Sequence, residues 1–299
     1  MTLRPPELTD VPRLLEGIGI GACAGHYGAW LCDLWGVVHN GIEPFSAALK
    51  ALRAYRRAGG VVVFITNAPR PSSSVIAQLE RIGVPDDAYD GIVTSGDIMR
   101  NMMRAHIDAA VFHIGPQRDF ALLAGLPLRV AAAPEDAELV VCSGLIDDSQ
   151  TPNDYADLLA RIRDCGLVFY CANPDKRVHR GNRLIYCAGA LAQHYAALGG
   201  EVILTGKPAS PIYDEAFNRL RKITGKSFDV ATVLAIGDGV ETDLAGAAHK
   251  GLDAVFITGG IHSAEIGNDY DETARLAVMA RLRNKLPELR LVGLMRALG

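Results

Sequence analysis

The chain has 299 residues, which fits one large domain or a core that carries an inserted second unit. Hydrophobic residues make up 49% and charged residues 21%, and the formal net charge is −4. These values are ordinary for a soluble globular protein, and nothing in them indicates nucleic acid as a partner.

The N-terminus and the cysteines predict a cytoplasmic protein. The segment MTLRPPELTD lacks the basic and then apolar pattern of a secretory signal. No apolar run reaches the roughly 20 residues that a membrane span needs. The six cysteines lie scattered in apolar segments without CxxC pairing, which is typical of free thiols in a reducing compartment. We therefore expect no membrane partner.

Short apolar runs alternate with helical segments along the chain. The runs are AWLCD, GVVVFITN, GIVTS, AAVFHIG, ELVVCSG, GLVFYCAN, EVILTG, TVLAIGD and DAVFITG. Because they are continuous rather than alternating, they predict strands buried on both faces, and hence a mostly parallel α/β sheet. Amphipathic patterns predict helices over 44–59 and 72–83, and the stretch 276–298 is predicted to be helical around Pro287.

Polar side chains follow four of the predicted strands at the point where each strand ends. The segments WLCD, VVVFITN, VILTGKP and VLAIGDGVETD supply Asp33, Thr66, Asn67, Lys207, Asp238 and Asp243. Ligands of an open parallel sheet bind beyond the carboxyl ends of its strands. We therefore expect these residues to contribute to one site.

These residue types suit chemistry on a phosphate group. Asp33 can attack phosphorus as a carboxylate nucleophile and form an aspartyl phosphate. A divalent ion held by Asp33 and Asp238 would offset the repulsion between that carboxylate and an anionic substrate. Thr66 and Lys207 would hold the non-transferring oxygens. A solvated acidic turn is the alternative interpretation of GDGVETD alone, but the ordered set of four strand ends favours a site.

Several segments resemble the motifs of the haloacid dehalogenase (HAD) superfamily of aspartate-nucleophile phosphotransferases. DLWGVVHNG, VFITNAPR, LTGKPASPIYDEAF and IGDGVETDLAGAAHKG resemble its four motifs in order. CANPDK and YCAGALAQHYAALGG are similar to segments of the large cap that class IIA members insert between the second and third motifs. That class includes nitrophenylphosphatase-like, nucleotide and sugar phosphatases.

The resemblance implies a domain organisation and a substrate class. It implies a Rossmann-like parallel-sheet core at 1–106 and 204–299, with the large α/β cap domain of class IIA inserted at 107–203. The substrate would be a small phosphorylated metabolite. Dimers formed through the cap are frequent in this class, so the resemblance also implies a homodimer.

The resemblance also implies roles for individual residues. Asp33, Thr66 and Lys207 would be catalytic, with Lys207 pairing with the phosphate. Mg²⁺ would be bound by Asp33, the backbone carbonyl of Trp35 and Asp238, with Asp243 bracing the site. The substrate contacts that it implies are Gly36, Asn67, Asn173 and Asp175.

Trp35 departs from the pattern of the phosphatases in this superfamily. They carry a second aspartate two residues after the nucleophile, which protonates the leaving oxygen and then activates water. An indole only donates a hydrogen bond and releases no proton near neutral pH. Loss of a general acid/base typically lowers a rate about 10²- to 10⁴-fold. The ion-pumping ATPases have threonine at this position and a persistent phosphoenzyme, whereas the dehalogenases have tyrosine and attack carbon.

Three hypotheses follow from this departure. The first is a weak phosphatase whose leaving group needs little protonation or whose acid lies elsewhere, with His39 and His179 as candidates. For His39 the alternative is a structural hydrogen-bonding role, and for the basic run DKRVHR around Arg177, Arg180 and Arg183 it is an ordinary charged loop. The second hypothesis is a protein that binds a phosphometabolite without turnover. The third is a carbon–halogen hydrolase, which the metal and phosphate residues disfavour.

Overall fold

The computed structural model describes residues 13–15, 18–181, 183–263 and 272–299. Within these residues the chain forms two compact units. The first comprises the described parts of Met1–Ile65, Gln78–Val93 and Tyr213–Gly299, and the second comprises Thr66–Ala77 and the described parts of Thr94–Ile212. The predicted boundaries, 1–106 with 204–299 for the core and 107–203 for the cap, stay predictions.

The strands and helices are numbered in chain order over the described residues. The strands are β1 (Arg13–Leu14), β2 (Ala29–Cys32), β3 (Val61–Thr66), β4 (Gly91–Thr94), β5 (Ala110–Ile114), β6 (Arg129–Ala131), β7 (Leu139–Cys142), β8 (Val168–Cys171), β9 (Arg177–Arg180), β10 (Arg183–Tyr186), β11 (Val202–Leu204), β12 (Val233–Gly237), β13 (Asp253–Ile257) and β14 (Arg290–Met295). The helices are α1 (Gly21–Ala24), α2 (Ser46–Arg57), α3 (Ser72–Ile82), α4 (Ser95–Met103), α5 (Ala156–Asp164), α6 (Ala188–Ala197), α7 (Ser210–Thr224), α8 (Ala245–Lys250) and α9 (Glu272–Lys285).

The first sheet confirms the predicted Rossmann-like parallel α/β architecture. Among the described strands its order is β1-β14-β13-β12-β2-β3-β4. Leu31 of β2 lies beside Val63 of β3 on one side and Ala235 of β12 on the other, in parallel register. All three are buried. The two strands that directly precede Asp33 and Asp238 are therefore neighbours at the centre of the sheet.

The second sheet belongs to the second unit. Its order over the described residues is β11-β8-β7-β5-β6, with parallel pairing, and β9 and β10 form a separate antiparallel hairpin. Phe169 of β8 packs with Leu159 of α5, Leu191 of α6 and Tyr195 in one buried cluster. The unit thus has an α/β architecture and a hydrophobic core of its own.

The helix predicted over 44–59 is confirmed as α2, which buries Ala48, Leu52 and Tyr55 on one face. The helix predicted over 72–83 is confirmed as α3. The prediction of a helical stretch over 276–298 is wrong in its second half, because residues 290–295 form β14. Pro287 cannot continue a helix, and the apolar run RLVGLM pairs with β13, where it is buried. Tertiary burial thus overrides the helical propensity of leucine and methionine.

Two features of the described residues bear on the predicted cellular setting. None of their helices has the length and apolar character of a membrane span. Four of the cysteine side chains, Cys32, Cys142, Cys171 and Cys187, are buried, whereas that of Cys165 is exposed. Burial raises the pKa of the Cys171 thiol to about 12, so this thiol is unreactive at neutral pH.

One carboxylate is buried at the start of β13. Asp253 is 1% exposed, the Tyr27 hydroxyl donates to its Oδ2 over 2.7 Å, and Arg290 Nε donates to its Oδ1 over 2.6 Å. Asp253 and Arg290 are register partners of β13 and β14. The pair therefore ties two strands of the first sheet together.

We expect Asp253→Asn to lower the free energy of unfolding by about 3 kcal/mol. That is the low end for a broken buried ion pair, because the Arg290 side chain is 39% exposed. Urea denaturation measures the change. Asp87→Asn, which removes an exposed pair with Arg53, serves as the control and should leave the midpoint nearly unchanged. Equal losses in the two variants would contradict the importance of the buried pair.

A second buried carboxylate lies in the second unit, in the turn after β5. Asp119 is 5% exposed, it is hydrogen-bonded by Ser143, and Arg70 Nε lies 3.7 Å from its Oδ1. Burial raises the pKa of Asp119 to about 6, because the positive charges of Arg70 and Arg118 only partly offset the loss of solvation. The folded state therefore favours the neutral acid.

This raised pKa gives Asp119 a pH-dependent effect on stability. The contribution of Asp119 to the free energy of unfolding is fully present below pH 4. It is lost as the pH rises to about 6, and the loss is at most about 3 kcal/mol. Relative to wild type, Asp119→Asn should therefore gain stability between pH 4.5 and pH 7 in denaturant titrations. Asp154→Asn should show no such gain over this range, because hydrogen bonds from Thr151 lower the pKa of Asp154, so its contribution to stability changes only below about pH 4. Parallel trends in the two variants would contradict this assignment.

Candidate active site

Three acidic side chains come together in the first unit. One carboxylate oxygen each from Asp33, Asp238 and Asp243 lies within 4.8 Å of the other two. All three residues are at most 7% exposed. Among the described residues, this is the one group of three or more acidic, histidine or cysteine side chains with such spacing.

The sheet places Asp33 and Asp238 side by side. Asp33 follows β2, and its backbone N–H donates to the carbonyl of Ile236 in β12 over 2.9 Å. Asp238 follows β12 directly. Gly36 has φ +77°, and any side chain there would overlap the Asp238 carboxylate. A glycine at this position therefore lets the loop after β2 approach the acidic cluster.

Asp243 holds the loop after β12. Its Oδ2 accepts a hydrogen bond from the backbone N–H of Gly239 over 3.1 Å, and the Thr242 hydroxyl lies 3.4 Å away. The turn Val240–Leu244 has the wide π-helical form and leads into α8. A side chain at Gly237 would overlap Asp243. Asp243 is thus placed as a brace for the loop that presents Asp238.

The loop after β13 also contacts the cluster, and sequence patterns did not predict this. The backbone N–H of Ile261 donates to Asp238 Oδ2 over 2.7 Å. A side chain at Gly260 would overlap the same carboxylate. The only signal in the sequence is the glycine pair in FITGG at the end of that apolar run. A backbone donor has no residue-type signature, so only the folded chain shows it.

The cluster fits a hard divalent cation. Three carboxylates this close and this buried repel one another, and each loses hydration, so a positive charge among them lowers the free energy of the folded state. The donor atoms offered are all carboxylate oxygens, which Mg²⁺ and Ca²⁺ prefer. Asp33 and Asp238 are the residues placed to hold such an ion, and Asp243 supports them.

The indole of Trp35 lies over Gly41 and makes an edge-on contact with the His39 ring, with 5.2 Å between ring centroids. His39 is buried, and its Nδ1 accepts a hydrogen bond from the Gly41 backbone N–H over 2.9 Å. Burial lowers the pKa of His39 to about 4. His39 is therefore neutral at physiological pH and shapes the turn, which favours a structural role.

A second group of predicted residues comes together in the second unit. Asn67 Nδ2 donates to Asp175 Oδ1 over 2.9 Å and to the carbonyl of Lys207 over 3.2 Å. Asn67 Oδ1 accepts from the backbone N–H of Lys207 over 2.7 Å. Thr66 is buried, and its hydroxyl accepts from the N–H of Ala68 over 3.2 Å. Residues after β3 and β11 thus meet in the second unit.

The predicted CANPDK segment is folded against helix α6. Asn173 Oδ1 accepts from the backbone N–H of Asp175 over 3.2 Å. The backbone N–H of Gly189 donates to the carbonyls of Asn173 and Asp175, over 2.8 and 3.1 Å. A side chain at Gly189 would overlap the Pro174 carbonyl. These contacts give the segment a defined conformation.

The basic run that follows forms the β9–β10 hairpin. Arg177 lies over the Tyr186 ring, 4.7 Å from its centroid, and Arg180 pairs with Asp148. His179 lies opposite Leu184 in the hairpin register. Two of the arginines therefore have protein partners, as expected for an ordinary charged segment, and an acid–base role for His179 stays a prediction.

The sequence matches two family models. The model of the haloacid dehalogenase-like hydrolases matches residues 30–128, and the HAD-hydrolase-like model matches residues 204–284. The two matches cover the segments that hold Asp33, Thr66, Lys207, Asp238 and Asp243.

Individual relatives are similar over most of the chain. A 5'-nucleotidase of Bacillus subtilis is 26% identical over 254 residues, which is 84% of this chain and 95% of that protein. The structure of a glycerol phosphate phosphatase from Mycobacterium tuberculosis in complex with magnesium is 26% identical, with a TM-score of 0.60, over 83% of this chain and 72% of that one.

A haloacid dehalogenase-like hydrolase from Brucella suis 1330 is more similar. Its crystal structure matches with 42% sequence identity and a TM-score of 0.83, over 94% of this chain and 99% of that chain. Because this identity extends over almost the whole of both chains, the protein belongs to the haloacid dehalogenase-like hydrolase family, in the class IIA group with a large α/β cap.

Proposed function

We propose that the protein is a Mg²⁺-dependent phosphatase that acts on a small phosphorylated metabolite. The observation that carries this proposal is the group of three buried carboxylates at the carboxyl ends of β2 and β12. The relatives named above as a 5'-nucleotidase and a glycerol phosphate phosphatase support the reaction type, and the magnesium complex of the latter supports the ion.

In the proposed reaction Asp33 is the nucleophile. One of its carboxylate oxygens forms a bond to phosphorus while the bond between phosphorus and the leaving oxygen breaks. Water then attacks the aspartyl phosphate, which releases inorganic phosphate and restores the carboxylate. Thr66 and Lys207 hold the non-transferring oxygens. Asp33, the Trp35 carbonyl and Asp238 would hold the ion, which would supply positive charge to offset the repulsion between the carboxylates and the substrate.

Trp35 limits this reaction, because its indole supplies no proton to the leaving group. The neutral, hydrogen-bonded His39 does not replace it. We therefore propose weak turnover, with a preference for leaving groups that depart without protonation and with a persistent phosphoenzyme. The substrate contacts proposed from the family pattern are Gly36, Asn67, Asn173 and Asp175.

The departure at Trp35 also favours a second candidate function, the binding of a phosphometabolite without turnover. The residues proposed for binding the ion and the phosphate are all present, and the residue most closely tied to turnover is missing. A carbon–halogen hydrolase has less support, because the acidic cluster and Lys207 suit a metal and a phosphate. Cytoplasmic location and a homodimer stay predictions.

A phosphate-release assay with variants of two residues tests the proposed reaction. Asp33→Asn should abolish release, because an amide is not a nucleophile. Trp35→Asp should raise kcat/KM, which reports the step in which the leaving group departs, on the order of 10²-fold with an alkyl phosphate such as glycerol phosphate, and less with p-nitrophenyl phosphate, whose leaving group needs no proton. Trp35→Asn is the matched control, since it opens the same space without an acid.

Each outcome of this assay has a clear meaning. Equal gains from Trp35→Asp and Trp35→Asn would show that the space, and not the proton, limits the rate. Release by Asp33→Asn at the wild-type rate would overturn the assignment of the nucleophile. If no phosphate ester is turned over while one of them raises the melting temperature, the second candidate function is correct.

Removal of the ion tests the metal dependence. EDTA should abolish phosphate release, and Mg²⁺ at about 100 times its Kd should stabilise the wild-type fold by about 2.7 kcal/mol. Thermal unfolding with and without Mg²⁺ measures this effect. Asp238→Asn should lose most of the stabilisation, whereas the exposed Asp229→Asn should keep it. Equal responses of the two variants would contradict the assignment of Asp238 as a ligand.

A further inference from the structure

The side chain of Asn67 has a peculiar set of partners for a residue expected to contact substrate. Its amide donates to the Lys207 carbonyl and accepts from the Lys207 N–H, so it pairs with both backbone polar groups of one residue. Its second N–H donates to Asp175. Both N–H groups of Asn67 are therefore committed to protein acceptors. Lys207 itself is 2% exposed.

The packing around this contact allows little adjustment. A side chain at Gly206 would overlap Asn67 Oδ1 and would lie 2.8 Å from Pro174 Cδ. Gly206 is thus packed closely against both Asn67 and Pro174. Three segments distant in sequence therefore converge here, and the absence of a side chain at Gly206 permits their close packing.

The carboxylate of Asp175 has a defined effect on the Asn67 amide. A carboxylate only accepts hydrogen bonds at neutral pH, so Asp175 fixes which end of the amide carries the nitrogen. In that orientation Oδ1 faces the N–H of Lys207 and Nδ2 faces its carbonyl. A hydrogen bond to a charged group contributes more than one between neutral groups. Asp175 therefore stabilises the orientation in which Asn67 holds the Lys207 backbone.

We propose that Asp175 is a positioning residue for Lys207 and acts through Asn67. The proposal rests on the proposed function, in which Lys207 pairs with the phosphate. It assigns to the CANPDK segment an effect on phosphate affinity that needs no contact between Asp175 and the substrate. Placement of a buried charge matters because its interaction with an anion in a site of low dielectric constant falls quickly with distance.

A double-mutant cycle on the full chain tests this proposal. Binding of inorganic phosphate in the presence of Mg²⁺ is measured by calorimetry for wild type, Asp175→Ala, Lys207→Ala and the double variant. Asp175→Ala should weaken binding about tenfold, the size of one hydrogen bond to a charged group. Lys207→Ala should weaken it on the order of 10²-fold. The double variant should bind no more weakly than Lys207→Ala alone.

Two further variants separate positioning from a general loss of structure. Asp175→Asn keeps an oxygen acceptor for Asn67 Nδ2 but not the charge, and should restore part of the affinity that Asp175→Ala loses. Asp154→Ala removes a carboxylate that accepts from Thr151 at the start of a turn in the same unit, and it should lower the melting temperature without changing phosphate binding. If Asp175→Ala does not fold, Asp175→Glu, which displaces the acceptor by one methylene group, takes its place in the cycle.

The outcomes distinguish this proposal from the proposed function. Additive losses in the cycle would overturn the positioning role while Lys207 keeps its assignment. Wild-type affinity in Asp175→Ala would overturn it as well, and so would a failure of Asp175→Asn to restore binding. Unchanged binding in Lys207→Ala would overturn the assignment of the lysine, and with it the proposed function.

Discussion

The repulsion among three buried carboxylates is the constraint on which the site in the first unit depends. Asp33, Asp238 and Asp243 are held together by neighbouring strands, by a backbone N–H from Ile261 and by the π-helical turn that contains Asp243. A cation offsets this repulsion more effectively than any single hydrogen bond. The geometry that makes the three carboxylates repel one another is also one that could hold a divalent ion.

The packing of Trp35 explains how a bulky indole is accommodated in the loop next to the acidic cluster. The ring packs over Gly41 and against His39, so the turn after β2 is stabilised by apolar and edge-on ring contacts. Trp35 lies in sequence between Asp33, which belongs to the acidic cluster, and Gly36, which lies against the Asp238 carboxylate. The main chain and the side chain of Trp35 therefore differ in what they can do. The carbonyl could bind an ion, whereas the indole packs in the turn and cannot transfer a proton.

The contacts of Asn67 indicate a structural role for a residue that the family pattern implies to contact substrate. Its amide serves Lys207 and Asp175, and so a residue after β3 connects a residue after β11 with a segment after β8. In the proposed mechanism the lysine supplies charge, whereas the asparagine and the aspartate determine where that charge lies.

The sequence by itself determined the parallel α/β class, the strand ends that carry the polar residues and the family, because burial on both faces and short strand-end motifs are local patterns. Only the tertiary structure decided that residues 290–295 form a strand, that Asp119 and Asp253 are buried, and that Asn67 pairs with Lys207 and Asp175. These features depend on segments distant in sequence that meet on folding. Hydrogen bonds from backbone groups and the pKa shifts that follow burial leave no mark in residue type or spacing.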